Sequence, residues 1–164
     1  MLKPLEQFIC DECGDVIKSP EEGYVEWVST QNEDGKWVSH GFRIVHAYYA
    51  SPRRHMDKEG CYRYGMSRGR MDTDLKSYLQ YVHQEMFSLL DVGTVHDING
   101  STGCQITDFR EYVDFFKRLT LPYYEEARLY IPQALADEFI TDENEIYLYS
   151  ETFLRKIVEE YSRY

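Results

Sequence analysis

The chain has 164 residues, of which 43% are hydrophobic and 15% aromatic, and it carries a net charge of −11. This composition excludes a disordered chain, and the length suits one domain or two small ones. No apolar stretch approaches the roughly 20 residues of a membrane-spanning helix, and "MLKPLEQF" lacks the features of a secretory signal, so we expect a cytoplasmic protein without a membrane partner.

The first half of the chain has the pattern of strands and loops. Residues 23–29 alternate apolar and polar side chains, as a half-buried strand does, and Asp34-Gly35 predicts a hairpin turn. Residues 36–49 return as a second strand, and residues 50–60 form a polar loop. If no bulge intervenes at Gly41, the even positions of the second strand share one face. These positions are Val38, His40, Phe42, Ile44, His46 and Tyr48.

From Asp72 onward the apolar residues recur at steps of three and four, which indicates helices. The first helix is predicted to begin at a cap on Asp72 or Thr73 and to end at Gly93. A second helix is predicted from Thr107 to about Leu119. Its predicted inner face consists of Phe109, Val113, Phe116 and Leu119.

Prolines and a serine mark the remaining helices. Pro122 suits the first turn of a third helix, and Pro132 kinks or restarts it. Ser150 can cap a last helix, which ends near Tyr161. About four helices are therefore expected in the second half of the chain.

The stretch "CDECG" at residues 10–14 is the clearest chemical signal in the sequence. A redox site is disfavoured, because Asp11 and Glu12 would raise the thiol pKa and Gly14 favours a turn over a helix. A structural disulfide is disfavoured in a compartment that keeps thiols reduced. Two cysteines separated by two residues can both bind one metal ion, and the glycine permits a positive φ at the end of the turn.

A metal site needs two further ligands from elsewhere in the chain. His46 ends the second strand and Cys61 follows the polar loop, which completes a Cys₃His set suited to tetrahedral Zn²⁺. His40, His55 or Cys104 remain alternatives for the third and fourth ligands. Zinc would stabilise a segment with few aliphatic residues by about 10–16 kcal/mol.

The sequence "ICDECG" also resembles the zinc knuckle of zinc-ribbon and treble-clef-like domains. The resemblance covers about residues 8–15 and implies metal binding at Cys10 and Cys13. The whole chain is similar to small bacterial or phage proteins that carry a lone Cys-x-x-Cys-Gly near the start, which assigns no activity.

Together these patterns predict an α+β fold. A small N-terminal, zinc-stabilised β-hairpin module at residues 1–68 would be packed on, or followed by, a helical bundle at residues 69–164. The alternative is one core shared by both parts, because the boundary near residues 67–72 is short.

Motifs for catalysis are absent from the sequence. There is no H-E-x-x-H, no deaminase zinc pattern, no phosphate-binding loop and no nucleophile elbow. A zinc hydrolase is therefore the least favoured function. The leading interpretation is a non-enzymatic zinc protein that acts as a protein-interaction or regulatory module, with another protein as its partner.

A basic segment offers an alternative function. Residues 40–70 contain seven basic side chains against two acidic ones, a local charge of +5 in an acidic chain. Positive charge beside tyrosines suits nucleic-acid binding. The residues that would bind nucleic acid are Arg53, Arg54, Arg63, Arg68 and Arg70. Equally, these arginines could pair within the chain, with the acidic helices near residues 123–130 and 141–147.

Overall fold

The computed structural model describes residues 1–90, 104–141 and 146–162. The strands are β1 (Phe8–Ile9), β2 (Val16–Ile17), β3 (Gly23–Gln31), β4 (Trp37–His46) and β5 (Arg70–Asp74). The α-helices are α1 (Leu75–Gln80), α2 (Val82–Leu90), α3 (Phe109–Thr120), α4 (Tyr124–Ala127), α5 (Ile131–Ala136) and α6 (Glu151–Tyr161). Single 3₁₀ turns occupy Pro20–Glu22, Tyr48–Ala50 and Ile146–Tyr149.

The strands form two small antiparallel sheets. β1 and β2 pair with Phe8 opposite Ile17, so that residues 10–15 make the turn between them. The larger sheet has the order β4-β3-β5, and the predicted Asp34-Gly35 turn joins β3 to β4. Within the described residues, two such sheets and six α-helices confirm the predicted mixture of sheet and helix, whereas the zinc-stabilised module and the bundle of about four helices stay predictions.

The region predicted as one long helix from Asp72 begins instead as strand β5. Residues 70–74 hydrogen-bond to β3, and the helix starts only at Leu75, where the Asp74 side chain accepts from the Ser77 amide. Tyr81 then separates α1 from α2. The predicted cap at Asp72 or Thr73 is therefore wrong, because both residues pair in the sheet. The predicted end at Gly93 lies outside the described residues.

A bulge in β4 interrupts the predicted alternation. The register shifts between Glu26 and Val28 of β3, and Gly41 has a φ of +70°. Ser39 is buried before the bulge and His40 is exposed. After the bulge Phe42, Ile44 and His46 are buried. The even positions consequently do not all face the core.

The predicted inner face of α3 is wrong at two of its four positions. Phe109 is 55% and Val113 44% exposed, whereas Tyr112 and Phe115 are buried together with Leu119. The rings of Tyr112 and Phe115 lie 5.0 and 5.2 Å from Phe42 of the sheet. The face with Phe109 and Val113 and the face with Tyr112 and Phe115 both have helical spacing. Contact with the sheet decides that the second face is buried.

The last helices follow the local signals more closely. The third helix predicted from Pro122 is only the short α4, and Pro132 lies in the first turn of α5, which confirms the restart. The Ser150 side chain accepts from the Phe153 amide and caps α6 as predicted.

Apolar side chains form two clusters among the described residues. One cluster joins the strands to α1, α2 and α3, and includes Phe8, Val25, Ile44, Leu75, Tyr78 and Phe115. The other joins α4, α5 and α6 around Ala127, Ala134, Leu154, Ile157 and Val158. The first cluster contains residues from before and after residue 68. The division into residues 1–68 and 69–164 stays a prediction. No helix in the described part of the chain is long and apolar enough to cross a membrane.

Candidate metal centre

Three segments converge at the end of the larger sheet. The β1–β2 turn carries Cys10 and Cys13, β4 ends at His46, and the loop between β4 and β5 carries Cys61. One potential ligand atom from each of these four residues lies within 4.8 Å of the other three. The cluster could therefore hold a metal ion.

The distances within this cluster suit tetrahedral coordination. The His46 Nδ1 atom lies 3.5 Å from the Cys13 Sγ and 3.9 Å from the Cys61 Sγ. Bonds of about 2.3 Å to sulfur and about 2.1 Å to nitrogen at a tetrahedral angle place sulfur and nitrogen about 3.6 Å apart. Both distances from His46 are close to this value, which suits an ion bound among the four residues.

Backbone hydrogen bonds shape the turn that presents the first two cysteines. The Cys10 amide donates to the Asp15 carbonyl and the Gly14 amide donates to the Cys10 carbonyl, each at 2.9 Å. Gly14 has a φ of +79°, a conformation that glycine adopts without steric cost. The local sequence thus folds so that Cys10 and Cys13 lie on the same side of the turn.

The imidazole of His46 has its second nitrogen occupied. Nε2 lies 3.4 Å from the Val16 carbonyl oxygen, to which it can donate its hydrogen. In the tautomer that donates through Nε2, the Nδ1 lone pair is directed at the cysteines, as a metal ligand requires, whereas an imidazolium protonated at both nitrogens donates to the Cys10 sulfur. The Ser51 hydroxyl lies 3.0 Å from the Cys61 sulfur, where it can donate to a thiolate.

The thiols differ in their readiness to lose a proton. Burial acts to raise the pKa of Cys10, but hydrogen bonds from His46 and from backbone amides outweigh it and lower the pKa to about 6. Burial, together with the neighbouring Cys10, raises the pKa of Cys13 to about 12. Burial also raises the pKa of Cys61. Cys13 and Cys61 therefore keep their protons unless a cation lies among the sulfurs, where its positive charge would offset the repulsion and desolvation of three thiolates.

The prediction that the acidic residues between the cysteines raise the thiol pKa is wrong for Cys10, whose pKa is lowered. These residues instead anchor the turn, a role that the sequence analysis missed. The Asp11 carboxylate accepts from the Ile44 amide at 2.7 Å and from the Arg118 guanidinium at 2.8 Å. The Glu12 carboxylate accepts from Arg43 at 2.7 Å and from Arg53. The turn is thereby tied to β4, to α3 and to the loop that carries Cys61.

The alternative ligands lie elsewhere. His40 and His55 are exposed on the surface, and the side chain of His55 contacts the Arg54 guanidinium. Cys104 is exposed, with its sulfur 3.4 Å from the Ile106 carbonyl. None of the three belongs to the cluster of potential ligands found among the described residues.

The five arginines predicted to bind nucleic acid divide into two groups. Arg53 pairs with Glu12, and Arg70 pairs with Glu26 and Asp72 at 3.4 and 2.9 Å. The other three are exposed; they are Arg54, Arg63 and Arg68.

These ion pairs are intramolecular, as one interpretation of the sequence predicted, but their partners differ from the prediction. The acidic partners of Arg53 and Arg70 lie in the β1–β2 turn, in β3 and in β5. The carboxylate of Glu125 in α4 pairs instead with Arg118 and Arg128. The predicted partners at residues 142–145 lie outside the described residues.

Glu26 is a buried, charged residue with several hydrogen-bond donors around it, and the sequence analysis did not select it as a site residue. It is fully buried in β3, and its carboxylate accepts from Arg43, from Arg70 and from the backbone amide of Arg63. A charged residue in the middle of an otherwise buried strand is the signal that could have found it. Its contacts hold the loop that carries Cys61 against the sheet.

Comparison with known proteins gives no relative: no protein-family model, no curated protein and no solved structure matches the chain significantly.

Proposed function

We propose that this chain is a zinc-binding protein in which one Zn²⁺ is held by Cys10, Cys13, His46 and Cys61 and serves a structural role. The observation that carries the proposal is the convergence of four ligand atoms within 4.8 Å, from three segments distant in sequence. Thiolates with one imidazole form a donor set that favours Zn²⁺ over Mg²⁺ or Ca²⁺, which bind oxygen ligands.

The structural role follows from the number of ligands and from their burial. Four protein ligands complete a tetrahedral shell, whereas catalytic zinc keeps one position for water. Cys10, Cys61 and His46 are 1%, 0% and 4% exposed, so that a substrate has little access to the ion. A hydrolytic role is correspondingly disfavoured.

Zinc would stabilise a part of the protein that has little apolar packing of its own. Between the end of β4 and the start of β5, residues 47–69 contain only a 3₁₀ turn at Tyr48–Ala50. Within this loop Ala47, Ser51, Gly60 and Cys61 are the buried residues. A bond from Cys61 to zinc therefore fixes a long loop to the sheet, and such closure contributes strongly to folding.

For the biological role we propose a non-enzymatic protein-interaction or regulatory module in the cytoplasm. The net charge of −11 favours a partner with a basic surface. Exposed aromatic rings such as Tyr49, Phe87 and Phe109 are side chains that interfaces commonly use. The ion pairs of Arg53 and Arg70 reduce the charge that the basic segment could offer to nucleic acid.

The zinc proposal is tested by measuring the metal content of protein purified without added zinc. We expect one zinc per chain in the wild type, and loss or weakening of binding in Cys10→Ser, Cys61→Ser and His46→Ala. Cys104→Ser is the matched control, because this exposed cysteine lies outside the cluster. Absorption of the cobalt-substituted wild type reports thiolate ligation without relying on variants that could unfold.

Two outcomes contradict the proposal. One is a wild type without zinc whose Cys10 and Cys13 react readily with a thiol reagent, which would favour redox chemistry. The other is a Cys104→Ser variant that loses as much zinc as Cys10→Ser.

The nucleic-acid alternative is tested by salt-dependent retention on heparin. Retention that disappears in the Arg53→Ala, Arg54→Ala double variant would support it, and absence of retention favours a protein partner.

A further inference from the structure

A surface pocket of about 850 Å³ lies between α5 and α6, far along the chain from the metal centre. Three aromatic rings line it, those of Tyr130, Phe139 and Tyr161. The rings of Tyr130 and Tyr161 are nearly parallel, with an interplanar angle of 21° and centroids 6.4 Å apart. The ring of Phe139 meets Tyr161 edge to face at 5.8 Å. The pocket therefore presents aromatic surface in two perpendicular orientations.

The rings are held in place by the protein. Tyr130 and Tyr161 are half-buried and pack against the apolar cluster of α4, α5 and α6. The Tyr161 hydroxyl also donates to the Asp137 carboxylate at 3.1 Å, and the Gln133 amide donates to its other oxygen at 2.7 Å. A pocket whose walls are fixed in advance loses less entropy when a ligand binds.

All charge that the described residues bring to the pocket is negative. Asp137, Glu138 and Glu160 line it, and none of the described lining residues is basic. Among the described residues, these three carboxylates form no ion pair with a lysine, arginine or histidine. A cation in such a pocket is stabilised by two interactions: cation–π attraction to the ring quadrupole and charge–charge attraction to the carboxylates.

We propose that this pocket binds an arginine side chain of a partner protein. The inference rests on the interaction role proposed above and specifies the partner's chemistry. A guanidinium is planar, so it can stack on Tyr130 or Tyr161 while its N–H groups donate to Asp137 or Glu160. A lysine ammonium has no flat face to stack and keeps its water more strongly. A neutral apolar ligand would leave the carboxylates beside it poorly solvated.

The test measures binding of a capped peptide, Gly-Gly-Arg-Gly-Gly, to the zinc-loaded protein by NMR titration. Its lysine twin and tetramethylammonium are titrated in parallel. The pocket variants are Phe139→Ala and the double variant Asp137→Asn, Glu138→Gln. Their matched controls are Phe109→Ala, at another exposed phenylalanine, and Glu33→Gln with Asp34→Asn, which removes two charges at the β3–β4 turn.

We expect the arginine peptide to bind the wild type and both controls, and to bind each pocket variant at least about fivefold more weakly. Equal weakening in the charge control would mean non-specific attraction to an acidic protein, and overturns the proposal. Equal binding of the lysine peptide overturns the assignment to arginine. Binding of tetramethylammonium without either peptide indicates a small-molecule site and also overturns it.

Zinc content of every variant is measured alongside, so that the two proposals fail separately. One zinc per chain with no peptide binding refutes the pocket and leaves the metal centre standing. If the wild type retains no zinc after loading but still binds the peptide, the metal centre is refuted and the pocket stands.

Discussion

Arg118 of α3 is a buried cation that joins the β1–β2 turn to the helices, and its replacement by methionine is a demanding test of the structure. Its guanidinium donates twice to Glu125, at 2.6 and 3.0 Å, once to Asp11 at 2.8 Å and once to the Ile9 carbonyl at 3.2 Å. Its side chain is only 5% exposed. Burial disfavours the cation, but the charges of Glu125 and Asp11 outweigh burial and raise the pKa of Arg118.

Methionine matches the aliphatic length of arginine but leaves the Asp11 and Glu125 carboxylates with only Arg128, whose guanidinium lies 3.8 and 3.3 Å from them. Removing one member of a buried ion pair typically costs about 3–5 kcal/mol, because the remaining charges lose their closest partner. With an m-value of about 2 kcal/mol/M, the urea midpoint should fall by about 1.5–2.5 M. Urea unfolding followed by circular dichroism on the zinc-loaded protein measures this shift.

The matched control is Arg155→Met on α6. Arg155 pairs with Glu159 at a similar distance, 2.8 Å, but its side chain is 57% exposed. Exposed pairs of this spacing contribute about 0.3–0.5 kcal/mol, so the control should unfold almost like the wild type. If Arg118→Met also costs less than about 1 kcal/mol, then the buried network does not join the turn to the helices, and the reasoning is refuted.

Three further predictions concern the loop that carries Cys61, the backbone at two glycines, and stability at alkaline pH. Ser51→Ala removes the hydroxyl beside Cys61 and should weaken zinc affinity by about 10–100-fold in a chelator competition. Gly69→Ala should lower thermal stability more than Gly35→Ala. Both residues have positive φ, but a Cβ at Gly69 would lie 2.7 Å from the Ser29 carbonyl oxygen, whereas a Cβ at Gly35 would have no atom within 4 Å. Burial raises the pKa of Tyr78, so stability should fall above about pH 10, where tyrosine ionises only in the unfolded chain, and Tyr78→Phe should lessen that fall.

Each of these has a control and a contradicting result. For Ser51→Ala the control is Ser77→Ala on α1, and equal zinc affinity in both would contradict the hydrogen bond to sulfur. If the two glycine variants melt at the same temperature, then the close approach at residue 69 is wrong. The exposed Tyr81 is the control for alkaline unfolding, and a Tyr81→Phe variant that protects as well as Tyr78→Phe would exclude burial as the cause.

The sign of the alkaline prediction follows from the direction of the pKa shift. A tyrosine whose pKa is raised in the folded state contributes its full stabilisation below the unfolded pKa of about 10. As pH rises above that value, ionisation draws molecules into the unfolded state, and the contribution disappears as pH passes the folded pKa.

Features that depend on a few neighbouring residues were predictable from the sequence. The Asp34-Gly35 turn, the restart at Pro132 and the Ser150 cap each rest on one backbone geometry or one short hydrogen bond. The Cys10–Gly14 turn belongs to the same group. These turns and caps form independently of the rest of the fold, because all the atoms that they involve belong to a few neighbouring residues.

Features that need a distant partner were decided only by the tertiary structure. Strand β5 exists because residues 70–74 pair with β3, and α3 turns Tyr112 inward because Phe42 is its neighbour. The choice of His46 over other histidines depends on the bulge at Gly41, which sets the face of every later residue in β4. The sequence thus predicted Cys10, Cys13, His46 and Cys61 as the leading set for the candidate metal centre. Long-range strand register and loop placement decided that these four, and not His40, His55 or Cys104, come together.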